Sequence, residues 1–332
     1  MQGFLLNLKL VKYLVMKKFL ASFLVPIIVL LVYFVYIFYV NPIKYSLISP
    51  LPDFLFISQN SQASTLNLWE PDIDDLLEGK DKPDVTATSV LIYDLTTKKT
   101  TYSKNPRMKV PLASLTKIMT AVIALENKKK DDKYIVKKED LVGEDSMGLT
   151  EGEVLTLEEL LYGLILHSGN DAAETIASNY PNGRTSFIKA MNDKAKALGL
   201  KDTNFTNPSG LEGDGVQYTT TYDLLVMTNF ALTNFPLFAK IAETFEYTIP
   251  QNLTHKEFYM QNETNLLSTY PGVKGVKTGY TPEAGLCLIS YLDYKGHKII
   301  AILLGSSNRR DEMKELLDYS LNVQGITPPK HS

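Results

Sequence analysis

From Phe19 to Val40 the chain is apolar and carries no charge. As a helix these residues would measure ~33 Å at ~1.5 Å per residue, enough to cross a hydrocarbon core ~30 Å thick. Lys9, Lys12, Lys17 and Lys18 precede the run, and residues 1–40 hold no acid. The positive-inside bias therefore puts residues 1–18 in the cytoplasm and everything beyond the span outside. The run ends Tyr36-Ile37-Phe38-Tyr39-Val40, without the small residues of a cleavage site, so an uncleaved anchor at 19–40 is expected. Residues 41–85 sustain neither a helical nor an alternating period and read as an extracytoplasmic stalk, with Trp69 expected to be an unpacked linker aromatic.

A regular pattern begins near Thr86. Ser89–Asp94 and Lys99–Ser103 are β-rich runs separated by a short polar link, which predicts a hairpin. An apolar helical run follows through Ala121, Ile123 and Leu125. Thr156 with Glu159 forms a capping box ahead of a helix through Ile165, and a turn at His167–Asn170 separates it from another over Ala172–Ala177. Phe187–Leu198, Tyr222–Leu232 and Leu237–Ile241 also read as helices. The last third returns to strands, Gly275–Gly279, Gly285–Tyr291 and Lys298–Gly305, before an amphipathic helix from Arg309 to Leu321.

This order predicts an α+β fold: strands from both ends of a domain at 86–325 share one antiparallel sheet, flanked by helices, with an all-helical lobe inserted between them. A cleft is expected between the two parts. Residues 326–332 read as a tail.

Composition narrows the chemistry. The chain holds one cysteine, Cys287, so no intramolecular disulfide can form, and its four histidines include no pair at metal-ligand spacing on a helix. Neither a metal nor another cofactor is expected. Beyond residue 40 there are 30 basic side chains (34 minus 4) against 37 acidic ones, a net of −7 that gives no reason to expect nucleic-acid binding.

The candidate chemistry starts at Ser114 and Lys117, three residues apart at a helix start and thus on one face. A serine hydroxyl needs a base, and a lysine is one only when neutral. Bringing it from ~10.4 to the ~7–8 useful for catalysis takes on the order of 4 kcal/mol of environment. Two further polar triplets have compatible contexts: Ser168-Gly169-Asn170 on the helix-to-helix turn, and Lys277-Thr278-Gly279 on a strand.

Ser-x-x-Lys, Ser-x-Asn and Lys-Thr-Gly in this order resemble the marks of the penicillin-recognising serine acyl-transferases. The flanks, Pro111–Ala121, Ser146–Leu149, Leu160–Ala173, Asn207–Leu211 and Gly275–Thr281, are similar to those of the low-molecular-mass penicillin-binding proteins that act as serine D-alanyl-D-alanine carboxypeptidases. The resemblance implies the β-lactamase/transpeptidase-like fold and a role for each residue. Ser114 is the nucleophile and Lys117 its base. Lys277 is the like charge that depresses Lys117, Ser168 a proton relay, and Asn170 a holder of the substrate backbone. Thr278, with Lys277 behind it, receives the terminal carboxylate; Gly279 allows close approach; and the N–H groups of Ser114 and Tyr280 form the oxyanion hole.

It also implies peptidoglycan stem peptides as substrate, β-lactams as inhibitors, and a single-pass location at a bacterial cell membrane with the catalytic domain outside. DD-endopeptidase and serine β-lactamase activities are the enzymatic alternatives, although the Glu-x-x-Leu-Asn segment of fast-deacylating β-lactamases does not occur between Asn170 and Lys277. A binder of wall peptides or penicillin without turnover is the non-enzymatic one. Cys287 and His167 are expected to be packing residues.

Overall fold

A computed structural model describes residues 68–331, together with Leu30, Leu31 and Tyr33. The expected span at 19–40 otherwise lies outside the described residues, among which no single helix is long and apolar enough to cross a membrane. From residue 68 onward the chain belongs to one compact unit.

Strands β1 (Ser89–Asp94) and β2 (Lys99–Lys104) form the expected hairpin. A 3-10 turn at Ala113–Thr116 runs into helix α1 (Lys117–Glu126). The short strands β3 (Tyr134–Ile135) and β4 (Val154–Leu155) pair with each other before α2 (Leu157–Leu166), α3 (Asn170–Ser178) and α4 (Gly183–Ala197). Helices α5 (Thr221–Asn234) and α6 (Pro236–Ala242) lead to a second two-stranded ribbon, β5 (Glu246–Ile249) with β6 (Phe258–Gln261), and a short helix α7 (Leu266–Thr269). Strands β7 (Val273–Thr281), β8 (Gly285–Tyr294) and β9 (His297–Ser306) and helix α8 (Arg309–Asn322) complete the order.

The main sheet runs β2-β1-β9-β8-β7 and is antiparallel throughout, so the two ends of the domain meet where β1 pairs with β9. Both faces are covered, which is why the central strands read as nearly continuous apolar runs. Val90 and Ile92 with Ile299, Ala301 and Leu303 face α8, whose Met313, Leu316, Leu317 and Leu321 are fully buried. The alternate residues, Leu91 and Tyr93 with Ile300, Ile302 and Leu304, face the larger helical core that contains α1. The inserted part is not all-helical as its pattern suggests. The β3–β4 and β5–β6 ribbons lie within it, their strands of two to four residues being too short to impose a legible alternation.

The stalk boundary also moves. Residues 68–85 lie along the edge of the sheet instead of leading away from it: Leu77 N–H donates to the Thr100 carbonyl at 2.8 Å, and Thr100 N–H to Asp75 at 3.1 Å. Lys104 Nζ and Tyr102 OH donate to the carbonyls of Val85 and Pro83. Trp69 packs edge-on against Tyr93 with ring centroids 5.9 Å apart. This segment covers the open edge of β2 by backbone pairing, which leaves no period in the sequence.

Candidate active site

Ser114 stands on the 3-10 turn and Lys117 opens α1, which brings their side chains to one face. Lys117 Nζ lies 2.8 Å from Ser114 Oγ, 2.6 Å from Asn170 Oδ1 and 2.6 Å from the Ser209 carbonyl oxygen. As an ammonium, Lys117 donates to all three. As a neutral amine it keeps two protons, which the amide and carbonyl oxygens hold, and its lone pair then faces Ser114 Oγ. Full burial pushes Lys117 well below the usual lysine value, and the nearby Lys277 cation pushes it further the same way. The anions of Asp145, Glu263 and Asp171 oppose the shift. Ala113, immediately before Ser114, holds φ 49°, a left-handed conformation that is strained for a residue with a side chain.

Asn170 is the N-terminal residue of α3 and ties several pieces together. Its Oδ1 accepts from Lys117, its Nδ2 donates to the Glu144 carbonyl at 2.9 Å, and its backbone N–H donates to the Asp145 carbonyl at 2.7 Å. The amide expected to hold substrate is thus engaged internally, clamping the 144–145 loop over the site. The same loop is pinned from beneath by buried Asp171, whose carboxylate accepts from Ser146 Oγ and from the N–H groups of Met147, Gly148 and Leu149. Ser168 sits at φ 56° on the turn between α2 and α3. It is 2% exposed, and its hydroxyl makes no hydrogen bond among the described residues.

The carbonyl of Ser209 reaches Lys117 because Asn207 folds its own loop. Asn207 Oδ1 accepts from Gly210 N–H at 2.7 Å and from Ser209 N–H at 3.2 Å, while its Nδ2 donates to the Leu211 carbonyl at 2.7 Å. Gly210, at φ +89°, lies against Ala113 so closely that a Cβ there would fall 2.0 Å from the Ala113 carbonyl oxygen.

Strand β7 forms the opposite wall. A Cβ on Gly279 would sit 3.2 Å from both Ala113 Cβ and Ser114 N, so the strand passes directly over Ser114. Lys277 is buried behind it, pulled down to about 8 mainly by desolvation, with Arg309 acting in the same direction and Glu263 and Asp145 against it. Thr278 Oγ1 donates to Glu263 Oε2 at 2.9 Å. Arg309 Nη1 donates to the Gly279 carbonyl at 2.9 Å and holds this stretch of β7 from its far side. Tyr280 is exposed at the rim. Between these walls a cavity of about 620 Å³ opens on Ser114, lined also by Glu144, Asp145, Leu211, Tyr280 and Pro282.

Residues 77–308 match the family model of D-alanyl-D-alanine carboxypeptidases. The chain belongs to this family. Among its relatives, the D-alanyl-D-alanine carboxypeptidase DacF of Bacillus subtilis is 36% identical over 254 residues, which cover 73% of this chain and 64% of the relative. The chain thus spans just under two thirds of that protein's length. A D-alanyl-D-alanine endopeptidase of Pseudomonas aeruginosa is 34% identical, with 62% of this chain and 67% of that protein covered. Among solved structures, the Streptomyces K15 DD-transpeptidase is similar with a TM-score of 0.68 at 31% identity, over 73% of this chain and 99% of that one. The fold is therefore that of the penicillin-binding DD-peptidases.

In this member of the D-alanyl-D-alanine carboxypeptidase family, parts of the three motifs come together in space. Ser114 and Tyr280 line the cavity, Lys117 bridges Ser114 and Asn170, Gly279 lies against Ser114, and Lys277 acts electrostatically on Lys117, with Thr278 next to it on β7 and Ser168 on the turn that leads into Asn170. Reading along the chain misses Ser209, Glu263, Arg309 and the anchoring Asp171. Ser209 acts through a backbone carbonyl, which any residue could supply. Glu263 and Arg309 arrive from elements remote in sequence, with no spacing to announce them. His167, expected to pack beside the turn, is exposed instead. Cys287 is buried as expected, and burial pushes its thiol up to about 11.

Proposed function

We propose that the protein is a serine DD-peptidase of peptidoglycan that removes the terminal D-alanine from stem pentapeptides. The observation that carries this reading is the Lys117 amine, with two acceptors for its protons and its remaining valence on Ser114 Oγ. Ser114 attacks the carbonyl carbon between the two terminal D-alanines as Lys117 takes the hydroxyl proton. The N–H groups of Ser114 and Tyr280 receive the developing oxyanion; losing one such donor typically costs ~2.7–4 kcal/mol of activation free energy. The C–N bond then breaks, and D-alanine leaves with a proton relayed through the hydroxyl of Ser168. Water cleaves the resulting ester and restores Ser114.

Thr278 and the buried Lys277 cation are the groups for the substrate's terminal carboxylate. β-Lactams, which present a strained amide and a carboxylate, would acylate Ser114 in the same way. Membrane anchoring through 19–40, with the site outside, completes the proposal and rests on the charge-free run and the four preceding lysines.

The test follows D-alanine release by the full chain from a pentapeptide ending in D-Ala-D-Ala, with wild type and Ser114→Ala. Release that disappears in Ser114→Ala supports the carboxypeptidase. Cleavage of cross-linked dimers in place of such release would reassign the enzyme as an endopeptidase, and penicillin capture without any turnover would leave a binder.

A further inference from the structure

Glu263 belongs to none of the three motifs, yet its carboxylate reaches into the place where the substrate's carboxylate is to bind. Its backbone N–H donates to the Leu166 carbonyl at 3.1 Å, at the end of α2 just before the Ser168 turn. The neighbouring Asn262 side chain is fixed by donating to the carbonyls of Ala242 and Thr244. From this braced position Glu263 Oε2 accepts the Thr278 hydroxyl at 2.9 Å.

A threonine hydroxyl has one proton and can give it to one acceptor at a time. Thr278 cannot donate to Glu263 and to an incoming carboxylate together. We propose that Glu263 is an internal anion that occupies Thr278 in the free enzyme and is displaced by the carboxylate of the substrate, so that it sets how readily carboxylate-bearing ligands bind. This rests on the reading of Thr278 as the carboxylate receiver. Two further observations fit the role. Glu263 is exposed, so its displaced carboxylate can turn back to water. It is also the anion that acts on Lys117, Lys277 and Arg309 alike, holding up the charge of a cation cluster until a ligand carboxylate takes its place. Glu263 is accordingly a specificity-determining residue that acts through Thr278.

The test measures the second-order rate of Ser114 acylation in the full chain by a penicillin with a free carboxylate and by the methyl ester of the same penicillin. Glu263→Gln keeps the shape and removes the charge. Acylation by the free acid is expected to rise about five-fold relative to the ester, the scale of a weakened competing hydrogen bond plus a removed like charge, while any effect of the lost charge on Lys117 moves acid and ester rates together. An ester rate no lower than in wild type also shows that the site is still assembled. A free-acid rate that is unchanged or slower relative to the ester, equal changes with acid and ester included, would overturn the proposal. Because acylation needs no peptide turnover, an enzyme that fails to release D-alanine would sink the proposed carboxypeptidase activity without affecting this comparison.

Discussion

Lys117 Nζ lies 2.6 Å from the carbonyl oxygen of Ser209, a residue 92 positions further along the chain. A loop that offers only a backbone carbonyl thus helps turn the Lys117 amine toward Ser114. With Asn170 on a second acceptor position, Lys117 can lose a proton without losing its orientation.

The Asn207 side chain builds that loop, so Asn207→Ala should release the Ser209 carbonyl. Loss of its buried hydrogen bonds is expected to destabilise the fold by about 1–3 kcal/mol, read from urea unfolding. Penicillin acylation of Ser114 should slow about ten-fold or more, since a misdirected base removes part of a contribution of ~10²–10⁴. Full acylation rates in this variant would show that Asn170 alone orients Lys117.

Two lysines give opposite limbs to the pH profile. In the proposed mechanism Lys117 works as a neutral amine, and burial beside Lys277 lowers its pKa, so acylation should rise with pH and develop well below the ordinary lysine range. As the proposed partner of the substrate carboxylate, Lys277 would act only while protonated, and its pKa is pulled down to about 8. Steady-state kinetics with the pentapeptide should show kcat/KM falling above pH about 8 through a rise in KM, with kcat little changed. A fall confined to kcat would contradict this role for Lys277.

Gly210→Ala should disable the site from outside it. The new Cβ meets the Ala113 carbonyl oxygen at 2.0 Å, and φ +89° adds strain of about 1–2 kcal/mol for a side-chain-bearing residue. Relief requires Ala113 to move, and Ser114 moves with it. Thermal melts should show a clear loss of stability together with lost acylation. Gly279→Ala, with contacts at 3.2 Å, is expected to melt closer to wild type while still blocking ligand approach.

Asp171→Ala removes the acceptor for one hydroxyl and three loop N–H groups and leaves them without partners. The expected destabilisation is about 3 kcal/mol or more, or roughly 6–12 °C in Tm for a domain of this size. Differential scanning calorimetry provides the check, and a shift under 2 °C, taken as roughly half a kcal/mol, would mean that water substitutes for the carboxylate.

The elements that were legible in the sequence carry strong local signals. The capping box of Thr156 and Glu159 marks the start of α2, the β-rich run from Val90 to Tyr93 marks β1, and the spacing of Met313, Leu316 and Leu317 marks α8. The β5–β6 ribbon and the segment at 68–85 escaped because backbone pairing holds them, and pairing leaves little trace in side-chain order.

By itself the sequence determined the residue types able to do this chemistry, the three short motifs that hold them, and the mixed order of strands and helices that lets both ends share a sheet. Those follow from periodicity and from reactivity, which are properties of neighbours along a chain. Only the tertiary structure decided that Lys117 is stripped of water, that a carbonyl from Ser209 and an amide from Asn170 aim it, and that Glu263 stands on Thr278. Desolvation and hydrogen-bond direction depend on which groups converge in space, and here they come from segments separated by tens of residues.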